Sequence, residues 1–211
     1  MLSRLDDIIY PNRCEVIEIE ASQRYIYPIF KNGYTSLSEY VRARKCKILF
    51  NEQIGKLTDI NIIIRNPQER FISGVNTYVY NTKRDNPHLD LNTIIYFAEN
   101  YLFLNRHYAP QFSWLVNLTR YANKTTTKLH LHGIDLLKEF TPLVLKPNET
   151  KLLSAEVIDR LNNNIHNEMY LRIDNLLLDL IGKEVTFTEI LDYLKTQDSI
   201  AYQKLSCIAL D

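Results

Sequence analysis

The chain has 211 residues, 45% hydrophobic and 24% charged, which fits one globular domain. A chain of this size buries about 70% of its unfolded surface and needs no staples. Lys plus Arg and Asp plus Glu both number 25, so the net charge is zero. That balance excludes a broad electrostatic footprint for duplex nucleic acid, and any anion must be bound locally.

In chain order, Arg24 to Phe30 mixes β-branched and aromatic residues and reads as a core strand. Ser36 to Lys45 has leucine, tyrosine and valine near helical spacing, with Ser36 able to cap its start. Lys47 to Phe50 is a second short strand. Ile60 to Ile64, "INIII", is a continuous apolar run of strand length, typical of a parallel strand covered on both faces. Helices are predicted over Gln68 to Tyr80 and Leu91 to Leu104, a strand over Lys128 to Leu131 and a short helix over Gly133 to Phe140. From Ser154 onward the pattern is helical, broken near Gly182 and Lys183. This order predicts an α/β fold with a mostly parallel sheet and helices on both faces, in which ligands sit beyond the carboxyl ends of the strands. The helical last third packs on that sheet or pairs with a second subunit as a homodimer, two readings the sequence leaves open.

Cys14, Cys46 and Cys207 are far apart, odd in number and lack CxxC spacing, so they read as free thiols in a reducing compartment. No run of about 18 apolar residues occurs, and the opening "MLSRLDDIIYPNRC" has no apolar stretch of signal-peptide length. A cytoplasmic location without membrane contact is the expectation. The sequons at Asn117, Asn123 and Asn148 are then chance matches.

Two stretches carry chemistry, both placed after predicted strands. "KNGYTS", Lys31 to Ser36, lies between a strand and a helix, where backbone N–H groups and the helix N-terminus form an anion site. Gly33 permits close approach, Thr35 and Ser36 add hydroxyls, and Lys31 adds a mobile charge. The order differs from a Walker A loop, whose lysine follows its glycines. The second stretch, "IIIRNPQERFISG", puts Arg65 at a strand end, Pro67 in the first turn of a helix and Ser73 two turns on. Arg65 and Ser73 converge on one phosphate if the turn bends correctly. In the plainer reading Glu69 and Arg70 form a solvated pair and Ser73 is filler.

Together, a lysine-glycine-threonine-serine turn and a strand ending in R-[DN]-P-x-x-R-x-x-S resemble the sulfotransferase family. "NRHYAPQFSWL", Asn105 to Leu115, is similar to the H-[WFY]-x-P-Q-like segment of carbohydrate-type members. The resemblance covers residues 25–115. It implies a single domain over 1–211 with a P-loop-NTPase-like, mostly parallel central sheet flanked by helices and a helical C-terminal part from about 152. It also implies transfer of a sulfuryl group from 3'-phosphoadenosine 5'-phosphosulfate (PAPS) to a hydroxyl or amine, with a small molecule or glycan as acceptor and no metal required. By position, Lys31, Asn32, Gly33, Tyr34, Thr35 and Ser36 correspond to the 5'-phosphosulfate loop, and Arg65 and Ser73 to the 3'-phosphate pair. Tyr34 departs from the small residue often found there, and no counterpart of the C-terminal R-K-G loop of the cytosolic branch is visible.

Two residues compete for the role of base. Glu52 lies just past the strand that follows the loop helix, where heparan-type members place a glutamate, and it is favoured for leaving the same sheet edge. His107 has the better intrinsic pKa, near 6.5. His130 and His132 share a face of a predicted strand but lack a third ligand, so no metal site is expected. Tyr78, Tyr80, Tyr96, Phe97, Tyr101, Phe103, Tyr108, Phe112 and Trp114 read as core or as an acceptor-stacking surface. A non-catalytic nucleotide-binding module and a P-loop-type phosphotransferase are the alternative functions.

Overall fold

The "INIII" run lies at the centre of the sheet. The computed structural model describes residues 14–19, 23–29, 31–44, 46–101, 105–140 and 153–203. Its strands are β1 (Glu15–Ile19), β2 (Arg24–Tyr27), β3 (Lys47–Phe50), β4 (Asp59–Ile64), β5 (Lys128–Gly133) and β6 (Glu184–Val185). They form one sheet in the order β3-β1-β2-β4-β5-β6. β4 is parallel to β2, with Asn61 opposite Ile26, and to β5, with Ile60 opposite Leu129. β1 runs antiparallel between β2 and β3, and β6 antiparallel beside β5.

The sheet is therefore mixed, and the expected P-loop-like, mostly parallel sheet is corrected: three of the five pairings are antiparallel. The cause is β1, "EVIEI", absent from the predicted order, which separates β2 from β3. Its flanking pairings leave β2, β3, β4 and β5 pointing the same way, so Lys31, Glu52 and Arg65 all follow carboxyl ends at one edge.

The helices are α1 (Tyr34–Arg44), α2 (Pro67–Asp85), α3 (Leu91–Asn100), α4 (Gln111–Leu118), α5 (Leu137–Phe140), α6 (Ala155–Asn162), α7 (Ile165–Leu178) and α8 (Phe187–Gln197). α1 begins two residues before Ser36, which is buried inside its first turn, so the expected serine cap is not the start of that helix. α2 begins at Pro67 as its chemistry requires, with the Asn66 side chain accepting from the Glu69 N–H.

Pleating divides β4 between two cores. Ile60, Ile62 and Ile64 meet Phe112, Trp114 and Leu115 of α4, Ile173 and Leu177 of α7 and Phe187 of α8. On the opposite face Ile63 joins Ile17, Ile19 and Ile26 against Leu37 and Tyr40 of α1. A third cluster joins Phe71, Val75 and Val79 of α2 to Ile94, Ile95 and Ala98 of α3, with Tyr108 and Leu161. Each such side chain contributes about 1.5 to 3 kcal/mol of burial. Cys14 and Cys46 are free thiols, and burial pushes Cys14 up to about 12; Cys207 lies outside the described residues. Among the described residues no helix is long and apolar enough to cross a membrane.

One glycine decides how the third cluster closes. A Cβ on Gly74, mid-way along α2, would stand 2.2 Å from the His107 carbonyl oxygen and 2.8 Å from the Tyr108 Cα. Backbone meets backbone there, so neither side can yield by rotating a side chain. Gly74→Ala gains about 1 kcal/mol of helix propensity, yet overpacking costs about 1 to 3 kcal/mol. The expected outcome of urea unfolding is a net loss of stability. Equal or greater stability would show that α2 and the 105–108 segment are not in this contact.

Candidate functional site

The turn between β2 and α1 is set by backbone conformation. Lys31 (φ 70°) and Gly33 (φ 81°) both adopt left-handed values on either side of Asn32. Glycine does so freely, whereas a lysine there costs roughly 1 to 2 kcal/mol, a strain of the kind that accumulates at functional sites. The Asn32 amide is buried and donates to the Ile63 carbonyl and to Gln111 Oε1, each at 2.6 Å. Its side chain therefore anchors the loop. The chain enters α1 with the Leu37 N–H bonded to the Gly33 carbonyl at 3.0 Å. The first turn of such a helix directs N–H groups outward along its axis.

Arg65 emerges from β4 beside this loop. Gln111, fully buried, accepts from the Arg65 N–H (3.0 Å) and donates to the Arg65 carbonyl (2.9 Å). The guanidinium of Arg65 donates to the Lys31 carbonyl (3.3 Å) and pairs with Glu69 (3.4 Å). The plainer pairing of Glu69 with Arg70 on the surface is thereby corrected. Arg70 is 1% exposed and donates to the Ala109 carbonyl at 2.5 Å.

Ser73 lies on the buried side of α2, and its carbonyl accepts from Thr77 Oγ1 (3.1 Å). Thr77 Oγ1 in turn accepts from Lys31 Nζ at 2.8 Å. Lys31 Nζ thus reaches α2 at Thr77, one turn beyond buried Ser73, while Arg65 meets the Lys31 carbonyl. Thr77 was missed in the sequence; its signal is the position one helical turn beyond Ser73.

His107 joins this group from the segment that packs on Gly74. Asn105 Oδ1 accepts both the His107 backbone N–H (3.0 Å) and a contact from Nδ1 (2.7 Å), so Nδ1 carries the proton and the lone pair is on Nε2. Burial, followed by the charges of Arg106, Lys31 and Arg70, lowers His107 to about 4. Lys31 is lowered too, by burial and then by Arg65 and Arg70. Cations crowd one another here.

The remaining predicted residues lie as follows. Tyr34 is half-buried and Thr35 exposed, both in the first turn of α1. Glu52 is exposed, on the 3-10 turn Asn51–Lys56 after β3. With β1 between β3 and β2, about 10 Å of sheet separates it from the Lys31 loop. The aromatic set divides: Tyr108, Phe112 and Trp114 are core, whereas Tyr80, Tyr96, Phe97 and Tyr101 are exposed; Phe103 is outside the described residues. His130 and His132, on the face of β5 opposite Leu129 and Leu131, line a cleft of about 630 Å³ with Arg24, Asp59 and Asn61. His130 Nε2 meets Asp59 (3.0 Å) and His132 Nε2 meets Asn61 (2.8 Å). Among the described residues no group of three or more His, Cys, Asp or Glu could hold a metal ion. This cleft, although roomy, is away from the cationic group.

Comparison with known proteins finds no matching family model, no similar curated protein and no similar solved structure. The chemistry therefore rests on the residues themselves.

Half-buried His107 and buried Asp174 predict a signed pH effect. His107 has a folded value of about 4 against 6.5, so the unfolded chain takes its proton first and stability is lost as pH falls from about 6.5 to 4. Asp174, raised by burial from 3.8 to about 6, acts oppositely: the folded state takes its proton first, so stability is gained as pH falls from about 6. His107→Gln removes only the first contribution. Its stability relative to wild type, measured by urea unfolding at pH 7 and pH 4.5, is expected to rise on acidification; an unchanged difference would contradict the placement of His107.

Proposed function

We propose that this protein is a sulfotransferase that moves a sulfuryl group from PAPS to a hydroxyl or amine of an acceptor. The observation that carries the reading is the meeting of Lys31 and Arg65 beside the Ser73–Thr77 turn of α2 and buried Arg70, where burial and then the charges of Arg65 and Arg70 lower the Lys31 ammonium. A site with several cations and few carboxylates is completed by a multiply charged anion. PAPS carries several phosphate and sulfate charges, and Lys31 and Arg65 lie side by side to meet them.

In this reading the N–H groups of Gly33, Tyr34, Thr35 and Ser36 and the Lys31 ammonium hold the 5'-phosphosulfate. The Arg65 guanidinium and the Ser73 hydroxyl hold the 3'-phosphate. Asn32 anchors the loop instead of meeting the anion, since its side chain is committed to Ile63 and Gln111 and its backbone N–H to the Ile29 carbonyl at 3.1 Å. The acceptor oxygen attacks sulfur in line, the bond from sulfur to the 5'-phosphate oxygen breaks, and its electron pair leaves with adenosine 3',5'-bisphosphate (PAP). Lys31 stabilises the charge that grows on that oxygen.

The acceptor proton goes to Nε2 of His107. A value near 4 keeps the ring neutral at pH 7, and the charge of bound donor offsets Lys31, Arg70 and Arg106 and strengthens the base. Glu52 remains the competitor, disfavoured by its exposure and its distance across the sheet. The Tyr108 hydroxyl donates to the Tyr101 carbonyl at 3.4 Å, tying the end of α3, with its exposed Phe97 and Tyr101, to the segment that carries His107. That placement supports an acceptor with a ring face, such as a sugar.

Calorimetry against PAP, ATP and GTP tests the donor. PAP is expected to bind most tightly and Arg65→Ala to weaken it about 10- to 150-fold, the loss of one charge-assisted bond. A preference for magnesium-ATP would sink the reading. Turnover of radiolabelled PAPS tests the base: His107→Ala should lose a hundredfold or more at unchanged PAP affinity while Glu52→Gln stays near wild type, and the reverse pattern would move the role to Glu52.

A further inference from the structure

The site segment 107–112 is gripped from below by two buried charges that the transfer chemistry does not use. Asp174 lies on α7, in the helical last third of the chain, and is 1% exposed. Its Oδ2 accepts the Gln111 N–H at 2.6 Å and its Oδ1 accepts the Phe112 N–H at 2.9 Å. A carboxylate there caps the first turn of α4 and meets the positive end of its dipole. The second charge, Arg70, holds the Ala109 carbonyl in the same segment. The two side chains also act on each other: burial raises Asp174 to about 6 and lowers Arg70 to about 10, each partly offset by the charge of the partner.

We infer that Asp174 is a positioning residue for the anion site, acting through Gln111 to set the Arg65 backbone and the Asn32 loop and thereby making donor affinity depend on α7. The path is continuous. Asp174 fixes the main chain of Gln111, the side chain of Gln111 takes both polar groups of the Arg65 backbone, and its Oε1 takes the Asn32 amide. Arg65 in turn donates to the Lys31 carbonyl. Four residues separated by up to 142 positions form one chain of buried or half-buried hydrogen bonds from α7 to the strained loop. A bond deletion at one end propagates because each member is shared. An asparagine at 174 presents an NH2 group to one of two N–H donors, so it cannot cap both.

This inference rests on the sulfotransferase reading only for its ligand, and two independent measurements keep the two apart. The first is hydrogen exchange on the free protein. Asp174→Asn should speed exchange of the Arg65 N–H at least tenfold relative to the Leu131 N–H of β5, although Arg65 does not touch Asp174. The second is steady-state kinetics, in which KM for PAPS should rise at least tenfold; loss of folded protein alone would lower kcat and leave KM unchanged. Since Asp174→Asn leaves Arg70 buried without its counter-charge, the double variant Arg70→Met with Asp174→Asn is made alongside. It should regain global stability while the Arg65 N–H stays deprotected. If it instead restores Arg65 protection, Asp174 is only the counter-charge of Arg70 and the inference is overturned. Wild-type protein that binds no PAP would end the sulfotransferase reading while leaving the exchange result to decide the coupling.

Discussion

Gln111 holds the site together by acting as a neighbouring strand. Where β4 leaves the sheet, its next residue needs partners for one N–H and one carbonyl, and the Gln111 carboxamide supplies both. The same oxygen accepts the Asn32 amide, so a single side chain fixes the strand end and the loop after β2 relative to each other. A buried amide that uses every polar atom is stabilising; a half-satisfied one is costly, at about 1 to 3 kcal/mol for each orphaned group. The geometry around Lys31 and Arg65 depends on this arrangement. Asn32 in turn holds Ile63, the residue by which β4 joins the α1-side core.

Above that clasp the protein concentrates positive charge, and below it lies a compensated pair. Arg70 and Asp174 partly offset each other's charge in the interior, whereas Arg65 has Glu69 as its exposed partner. Lys31 and His107 are both lowered, first by burial and then by the neighbouring cations. In the proposed function, an anion of high charge offsets those cations. Strain at Lys31 and close packing at Gly74 belong to the same economy: backbone positions are held where the chain alone would not choose them.

Much of this was readable in the chain, and the failures have physical reasons. "INIII" was recognised as central because a strand flanked by parallel neighbours is apolar over its length, and "KILF" and "KLHL" were found at or within their observed bounds. "EVIEI" was passed over, and with it the mixed character of the sheet, because strand direction depends on which partners pair, a long-range choice that local propensity does not encode. The motif residues Lys31, Gly33, Arg65 and Ser73 were visible as residue types that bind anions at strand ends. Thr77, Gln111 and Asp174 were not, since a polar residue in an amphipathic helix looks alike whether it faces water or a buried backbone. Arg70 shows the same limit: its neighbour Glu69 suggested a surface pair, and only the fold buries it.

The most direct measurement is a crystal structure of the protein grown with PAP. The account predicts the 5'-phosphate against the first turn of α1 with Lys31 Nζ drawn from Thr77 toward it, and the 3'-phosphate between Arg65 and Ser73. Nucleotide bound elsewhere, for instance in the cleft lined by His130 and His132, or a 5'-phosphate that does not meet the loop, would contradict it.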